Sequence, residues 1–111
     1  MDFNEYQKLA SRTATFDGKN AEYQLMYVCL GLAGETGEVI EKVKKVIRND
    51  GGAISEERRE AIKREIGDVL WYLSQIARVC GISLDEAAEA NIKKLADRAA
   101  RGVIKSEGDS R

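Results

Sequence analysis

Four carboxylates stand in two matched pairs whose types and spacing suit metal-ion chemistry. Glu35 and Glu38 form the first pair, and Glu65 and Asp68 form the second. Each pair lies in a segment that reads E-x-G-[E/D]-V-[I/L], and the two segments begin thirty residues apart. Acids three residues apart share one face of a helix, where their like charges repel. Two such pairs brought together would be stabilised by a hard cation with oxygen ligands, which favours Mg²⁺ and permits Mn²⁺.

The alternative is that these acids form ordinary solvated helix faces. A single acidic pair would be best interpreted in that way. Two pairs favour a site, because on a helical wheel of about 100° per residue both lie at the same edge of an apolar stripe. In the second helix this stripe, which is expected to face the core, includes Ile40 and Ile47. A composition without histidine also narrows the chemistry. It excludes the usual Cys/His zinc sites, His-dependent hydrolase triads and di-iron sites of the Glu-x-x-His type.

Bulk properties limit the partners and the location of the protein. A net charge of −1 argues against binding a nucleic-acid polymer, which requires a basic surface. No apolar run approaches the ~20 residues of a transmembrane helix. The N-terminal residues lack the pattern of a signal peptide, so we expect a cytoplasmic protein with no membrane contact. Cys29 and Cys80 have no C-x-x-C spacing and are predicted to be small buried apolar residues.

Helical periodicity predicts an all-α chain with a single domain over residues 1–104. Helices are expected over residues 2–14, 22–48, from the cap Ser55 to about Cys80, and after the cap Ser83. A loop at 15–21 and a glycine-containing break at 49–54 separate the first three helices. Residues 105–111 lose the periodicity and are predicted to be a flexible or partner-docked tail.

The acid pairs are expected to meet because a short loop joins the second and third helices. Such helices pack antiparallel, and each pair lies ~16 Å from the turn at ~1.5 Å rise per residue. The expected protomer is therefore of the four-helix-bundle type, built on a long antiparallel hairpin. The apolar edges that it leaves predict a symmetric oligomer. Trp71, which lies off the main apolar stripe, is interpreted as part of a second buried surface between subunits.

Five further residues lie near the acidic edge and are candidates for substrate binding. Lys42, Lys94 and Arg98 can hold phosphates, although ordinary surface ion pairs explain them equally well. Tyr72 points toward the acids, where it contacts either a ligand or the core. Asn91 lies near the apolar stripe, where burial of an apolar side chain would cost less free energy. We therefore expect Asn91 to make a polar contact to a ligand or to the protein.

Three glycines stand in consecutive turns of the second helix, at Gly31, Gly34 and Gly37. Each costs ~1 kcal/mol relative to alanine in a helix interior. Their presence indicates either close approach of another helix or room for a ligand.

At this point the chain resembles a known family. The pattern Glu35-x-x-Glu38, a spacer of 26 residues, and Glu65-x-x-Asp68 resembles the signature of the MazG-like all-α nucleoside triphosphate pyrophosphohydrolases. The flanks at residues 31–39 and 65–73, and the segment 91–95 followed by Arg98, are similar as well. The resemblance extends from about residue 5 to residue 102.

The resemblance implies hydrolysis of NTPs or dNTPs between the α- and β-phosphates, giving a monophosphate and pyrophosphate. It implies that all four acids ligate Mg²⁺ and that homodimers or homotetramers complete their sites across subunits. Asn91 and Lys94 match positions that the family uses for nucleotide or phosphate contacts. Ala99 and Ala100 stand where relatives often carry an aromatic residue after Arg98, a departure that affects base recognition near this end.

Within the implied reaction, Glu38 is the candidate general base, because it lies farther from the apolar stripe and nearer the groove. Lys94 and Arg98 would stabilise charge on the leaving pyrophosphate. The competing hypothesis is a non-catalytic helical dimerisation or regulatory module that binds a metal or nucleotide.

Overall fold

The computed structural model describes residues 1–104, and four α-helices account for most of that range. They are α1 (Phe3–Ala10), α2 (Ala21–Asn49), α3 (Glu56–Val79) and α4 (Leu84–Ala100), with a short 3₁₀ segment at Ser11–Thr13. The all-α prediction is confirmed, and the predicted helix ends differ from the observed ones by a few residues. The segment 105–111, predicted to be a tail, lies outside the described residues.

Each helix begins at a residue whose side chain satisfies a free backbone N–H group. Asp2, Asn20, Ser55 and Ser83 each accept a hydrogen bond from the N–H three residues later. In α4 the carboxylate of Glu86 also accepts from the N–H of Ser83, at 2.8 Å, which completes a capping box. Caps of this kind each contribute about 1 kcal/mol, so each helix has a well-defined first residue.

The two long helices, α2 and α3, make the most extensive contact between helices in the described chain. Residues 50–55 connect them, and Gly51 and Gly52 turn the chain there with φ of 62° and 84°. Residues with a β-carbon rarely adopt such angles. Gly31 of α2 lies against Tyr72 of α3, and Lys42 of α2 lies against Glu65 of α3, so the contacts between the two helices follow opposite orders along the chain.

The first helix, α1, lies across α3 and α4 and joins them. Gln7 Nε2 donates to the backbone oxygens of Ser74 and Ile82, at 3.2 and 3.0 Å. The amide oxygen of Gln7 accepts from the N–H of Leu84 at 3.1 Å. One side chain of α1 therefore holds the end of α3 and the start of α4 together.

Trp71 lies on a second packing surface, but this surface is made within the protomer. Its indole Nε1 donates to the backbone oxygen of Ala10 at 3.0 Å and to Thr13 Oγ1 at 2.9 Å. Its ring contacts Phe16 and Tyr72 edge to face. The end of α1 and the loop after it thus occupy the place that the sequence analysis assigned to another subunit.

Two expectations about burial were wrong. Cys29 and Cys80 are exposed. Ile40 and Ile47, which belong to the predicted core stripe of α2, are 62% and 69% exposed, because no described part of the protomer covers them. Within residues 1–104, no helix has both the length and the apolar character needed to cross a bilayer. The cytoplasmic location stays a prediction.

Candidate metal centre

Three of the four acids in the repeated segments converge between α2 and α3. Glu35 of α2 and Glu65 and Asp68 of α3 each place one carboxylate oxygen within 4.8 Å of the other two. Glu35 and Glu65 are half-buried, whereas Asp68 is exposed. The cluster therefore has a protein side, made by the two helices, and an open side at Asp68.

The other three acids perturb Glu35. Partial burial, followed by the charges of Asp68, Glu65 and Glu38, raises the pKa of the Glu35 carboxyl above its ordinary value. A hydrogen bond between the Glu35 and Glu65 side chains adds to this increase in pKa. The cluster is thus an unfavourable place for several negative charges when no cation neutralises them.

Glu38, the fourth acid, lies one helical turn after Glu35 and is exposed. It is not among the three carboxylates that converge within 4.8 Å. Its charge nevertheless raises the pKa of Glu35, so it lies near the edge of the cluster. Its roles as metal ligand and as general base stay predictions.

The donor set of the cluster fits a hard divalent cation. Three carboxylates supply oxygen ligands only, and Mg²⁺ and Mn²⁺ prefer such ligands. Burial and the neighbouring carboxylates raise the pKa of Glu35, and a bound cation would offset the repulsion among these acids. Glu35, Glu65 and Asp68 can therefore hold a metal ion, with the open side at Asp68 left for water and substrate.

Of the basic residues that were predicted to bind substrate, Lys42 borders the acid cluster. Lys42 Nζ lies 3.9 Å from Glu65 Oε1, and the two side chains are 27% and 18% exposed. The ammonium therefore faces a carboxylate of the site from the next turns of α2.

Two tyrosines lie beside the acids. Tyr72 was predicted to lie there, and Tyr6 was not. Partial burial, then the Tyr27 phenol, Glu35 and Asp68, raises the pKa of Tyr72. Burial and then the charge of Asp68 raise the pKa of Tyr6, which α1 brings to the site. Helical spacing puts Tyr6 on the same face of α1 as Phe3 and Leu9, but no local pattern signals that α1 packs at this level of α3.

The three candidates on α4 occupy different surroundings. Asn91 lines an open groove of ≈ 580 Å³ between α3 and α4, where its neighbours include Leu73 and Ile76 and none of the four acids. Lys94 is exposed, and Arg98 is buried with 4% of its surface accessible. The structure therefore groups Lys42 and Tyr72 with the acids, while the substrate-binding roles of Asn91, Lys94 and Arg98 stay predictions.

The fold and the carboxylate cluster between α2 and α3 together define the class of protein: a helical protein with a candidate site for a divalent metal ion. Comparison with known proteins narrows this class. The sequence model of the MazG nucleotide pyrophosphohydrolase domain matches residues 24–103, and the chain belongs to this family. The match begins after α1, so Tyr6 lies outside it.

A relative of nearly equal length comes from a bacteriophage. The chain is 40% identical to the "Gene 37 protein" of Mycobacterium phage L5 over 114 residues, and the alignment covers all of both chains. No solved structure matches this chain.

Proposed function

We propose that this chain is a Mg²⁺-dependent pyrophosphohydrolase that cleaves NTPs or dNTPs between the α- and β-phosphates. The observation that carries the proposal is the convergence of Glu35, Glu65 and Asp68 from the two repeated segments. Family membership supports the same class of reaction. The products would be a nucleoside monophosphate and pyrophosphate.

The reaction requires that water attack the α-phosphorus while the bond to the bridging oxygen of the β-phosphate breaks. The new P–O bond stays in the monophosphate, and the bridging oxygen leaves with pyrophosphate. When bound, Mg²⁺ would neutralise phosphate charge and lower the pKa of the attacking water. Mn²⁺ has the same ligand preference and would serve as a substitute.

The protein residues have separate parts in this proposal. Glu35, Glu65 and Asp68, with Glu38 at their edge, would hold the ion. Glu38 would accept the proton of the attacking water, because it is exposed and not among the three converging carboxylates. Lys42 would bind the phosphates from the side of Glu65. Asn91, Lys94 and Arg98 would contact the rest of the nucleotide once the site is complete.

The test is hydrolysis of a panel of NTPs and dNTPs with Mg²⁺ in H₂¹⁸O. We expect a monophosphate and pyrophosphate, with the heavy oxygen in the monophosphate. Label in the pyrophosphate would move the attack to the β-phosphorus, and release of orthophosphate and a diphosphate would identify a different bond. If no nucleotide is cleaved, the competing hypothesis of a non-catalytic module replaces the proposal.

Variants connect the activity to the site. Glu38→Gln should reduce kcat by about 100-fold or more if Glu38 is the base. Glu60→Gln is a matched control, since Glu60 is an acid of α3 outside the cluster and pairs with Lys63 at 2.8 Å. A folded Glu38→Gln protein with full activity would remove Glu38 from the mechanism.

We further propose that the protomer forms a homodimer or homotetramer. Ile40, Val43 and Ile47 lie at helical spacing on α2, and with Val39 they line an open apolar hollow. Exposed apolar surface that follows one helix face is typical of subunit contacts. Light scattering should therefore give a multiple of 12.3 kDa.

A substitution in the hollow tests this assembly. Ile47→Gln should shift the mass toward the monomer, whereas the neighbouring exposed Arg48→Gln should not. A wild-type monomer at micromolar concentration would contradict the proposal.

A further inference from the structure

An aromatic cluster lies at the start of α2 and has no part in the chemistry described above. Tyr23 and Tyr27 are one turn apart, and their rings stack with centroids 6.3 Å apart and planes at 24°. The Tyr27 ring also packs on Phe16, at 5.2 Å between centroids. Tyr23 and Tyr27 are 47% and 42% exposed, whereas Phe16 is buried. The exposed Tyr27 ring therefore packs on a buried aromatic residue, and the exposed Tyr23 ring adjoins Tyr27.

Phe16 is held in position by Arg78 and by the hydrogen bonds that Arg78 makes. The guanidinium of Arg78 lies 5.6 Å from the Phe16 ring centroid. Arg78 donates to Gln75 Oε1 at 2.7 Å and to Asp17 Oδ1 at 2.9 Å. Gln75 itself is fully buried and donates to Ser11 Oγ at 3.2 Å. Hydrogen bonds thus connect the loop that carries Phe16 to α3. They hold the ring on which Tyr27 packs.

The cluster is aligned with the acids along α2. Tyr27, Gly31 and Glu35 follow one another at four-residue spacing, which places Tyr27 about 12 Å from Glu35 along the helix axis. Tyr72 fills the space between them, because its ring lies over Gly31 and its phenol adjoins both Tyr27 and Glu35. A continuous surface therefore runs from the acids to the exposed tyrosines.

We propose that Tyr23 and Tyr27 form the surface on which the nucleobase of the substrate stacks, while Tyr72 positions Tyr27 relative to the acids. The inference rests on the proposed function, because it assumes that the triphosphate lies at the acid cluster. A nucleotide whose phosphates lie at the acids would reach Tyr27 first, about 12 Å from Glu35 along the helix axis, and Tyr23 one turn further, at about 18 Å. The exposed side chain of Lys19, whose Nζ lies 5.7 Å from the Tyr23 ring centroid, would give way to the base.

Stacking of this kind predicts a broad choice of substrates. Every base has a π-face, so aromatic stacking supplies affinity with little discrimination between bases. We therefore expect this protein to act on several nucleotides with similar efficiency.

The experiment compares a ligand that has a base with one that has none. Calorimetry with Mg²⁺ gives the Kd of an α,β-methylene dNTP, which resists cleavage at the scissile bond, and the Kd of inorganic tripolyphosphate. The ratio of the two constants isolates the contribution of the nucleoside. Tyr23→Leu and Tyr27→Leu keep apolar bulk but remove the ring. Tyr23→Phe and Tyr27→Phe keep the ring, and Met26→Ala changes an exposed neighbour on the same turn.

Each leucine variant should reduce the wild-type preference for the nucleotide by on the order of 10-fold, the size expected for loss of a stacked ring. The phenylalanine variants and Met26→Ala should keep the preference. If Tyr27→Leu fails to fold by circular dichroism, Tyr23→Leu decides, because the Tyr23 ring is the more exposed of the two.

An unchanged preference in folded leucine variants would overturn the inference. A leucine variant that weakens both ligands equally and changes the oligomeric mass would place the tyrosines in a subunit contact instead. A wild-type protein that hydrolyses nucleotides but prefers neither ligand would overturn the stacking surface alone. A wild-type protein that binds neither ligand and cleaves no nucleotide would overturn the proposed function as well.

Discussion

The phenol ring of Tyr72 lies over the backbone of Gly31, in the space that a β-carbon at residue 31 would occupy. The contact joins α2 and α3 one turn away from Glu35. Gly34 and Gly37 have no such neighbour, since a β-carbon at either position would meet nothing within 4 Å in the described protomer. Of the three glycines in consecutive turns, Gly31 is therefore explained by close approach of a side chain.

Gly31→Ala should destabilise the protein even though alanine favours helix. The new β-carbon forces Tyr72 aside, and overpacking of this kind costs about 1–3 kcal/mol, against a gain in helix propensity of about 1 kcal/mol. We expect a net loss of about 1 kcal/mol in the free energy of unfolding, measured by urea titration. Nucleotide hydrolysis should fall as well, because Tyr72 adjoins Glu35.

Gly34→Ala is the matched control on the same helix. Its β-carbon meets nothing, so the helix propensity should raise the free energy of unfolding by about 1 kcal/mol. If Gly31→Ala and Gly34→Ala raise the free energy of unfolding equally, the packing of Tyr72 does not require glycine at position 31.

The raised pKa of Glu35 makes the stability of the metal-free protein depend on pH. A group whose folded-state pKa exceeds its unfolded value contributes stability below the unfolded value, and this contribution is lost as pH rises through the folded pKa. In EDTA, Glu35→Gln should therefore be more stable than the wild type at pH 8 and similar to it at pH 4. Thermal unfolding across this range measures the difference.

Glu41, on the same helix, provides a control of opposite sign. A hydrogen bond from Lys44 lowers the pKa of its carboxyl, so its contribution is present at neutral pH and lost as pH falls. Glu41→Gln should therefore reduce stability at pH 8 and not at pH 4. Parallel pH profiles for the two variants would show that the acid cluster does not perturb Glu35.

The parts of the structure that local chemistry determines could be predicted from the sequence. Ser55 and Ser83 marked helix starts because their hydroxyls accept from N–H groups three residues later. The repeated acid segments indicated a common site because helical spacing fixes which residues share a face. The matched distances of Glu35 and Glu65 from the turn then placed them at one level.

The parts of the structure that depend on tertiary packing could not be predicted from the sequence. Trp71 was assigned to a subunit contact, because nothing in the wheel of α3 reveals that the end of α1 returns to it. Ile40 and Ile47 were predicted to lie in the core, because an apolar stripe has the same period whether or not the protomer covers it. Tyr27 was overlooked, although its spacing of four and eight residues from Gly31 and Glu35 was a usable signal.

Lys42 should have opposite effects on the metal and on the substrate. Its ammonium, 3.9 Å from Glu65, repels a cation at the acids and attracts a triphosphate. Lys42→Met should therefore tighten Mn²⁺ binding and raise the KM for nucleotide, each by about 2- to 5-fold, the size expected for one partly exposed charge. Calorimetry measures the first effect and steady-state kinetics the second.

Lys45→Met is the matched control for this change. Lys45 Nζ lies at the same distance, 3.9 Å, from a carboxylate outside the cluster, that of Glu41. The control should alter neither constant. A Lys42→Met protein with unchanged metal affinity would show that the ammonium does not act on the site.

Removal of a cluster acid should abolish stabilisation by metal. A ligand that binds only the folded state adds about 2.7 kcal/mol to the free energy of unfolding at 100 times its Kd. We expect Mn²⁺ to raise the Tm of the wild type, and Glu65→Gln to remove most of that increase, because Glu65 belongs to the converging triad. Glu60→Gln, which changes a surface acid of α3 that pairs with Lys63, should keep the increase. Equal increases in Tm for the wild type and both variants would place the metal elsewhere on the chain, and no increase in any of them would mean that the acids between α2 and α3 bind no Mn²⁺.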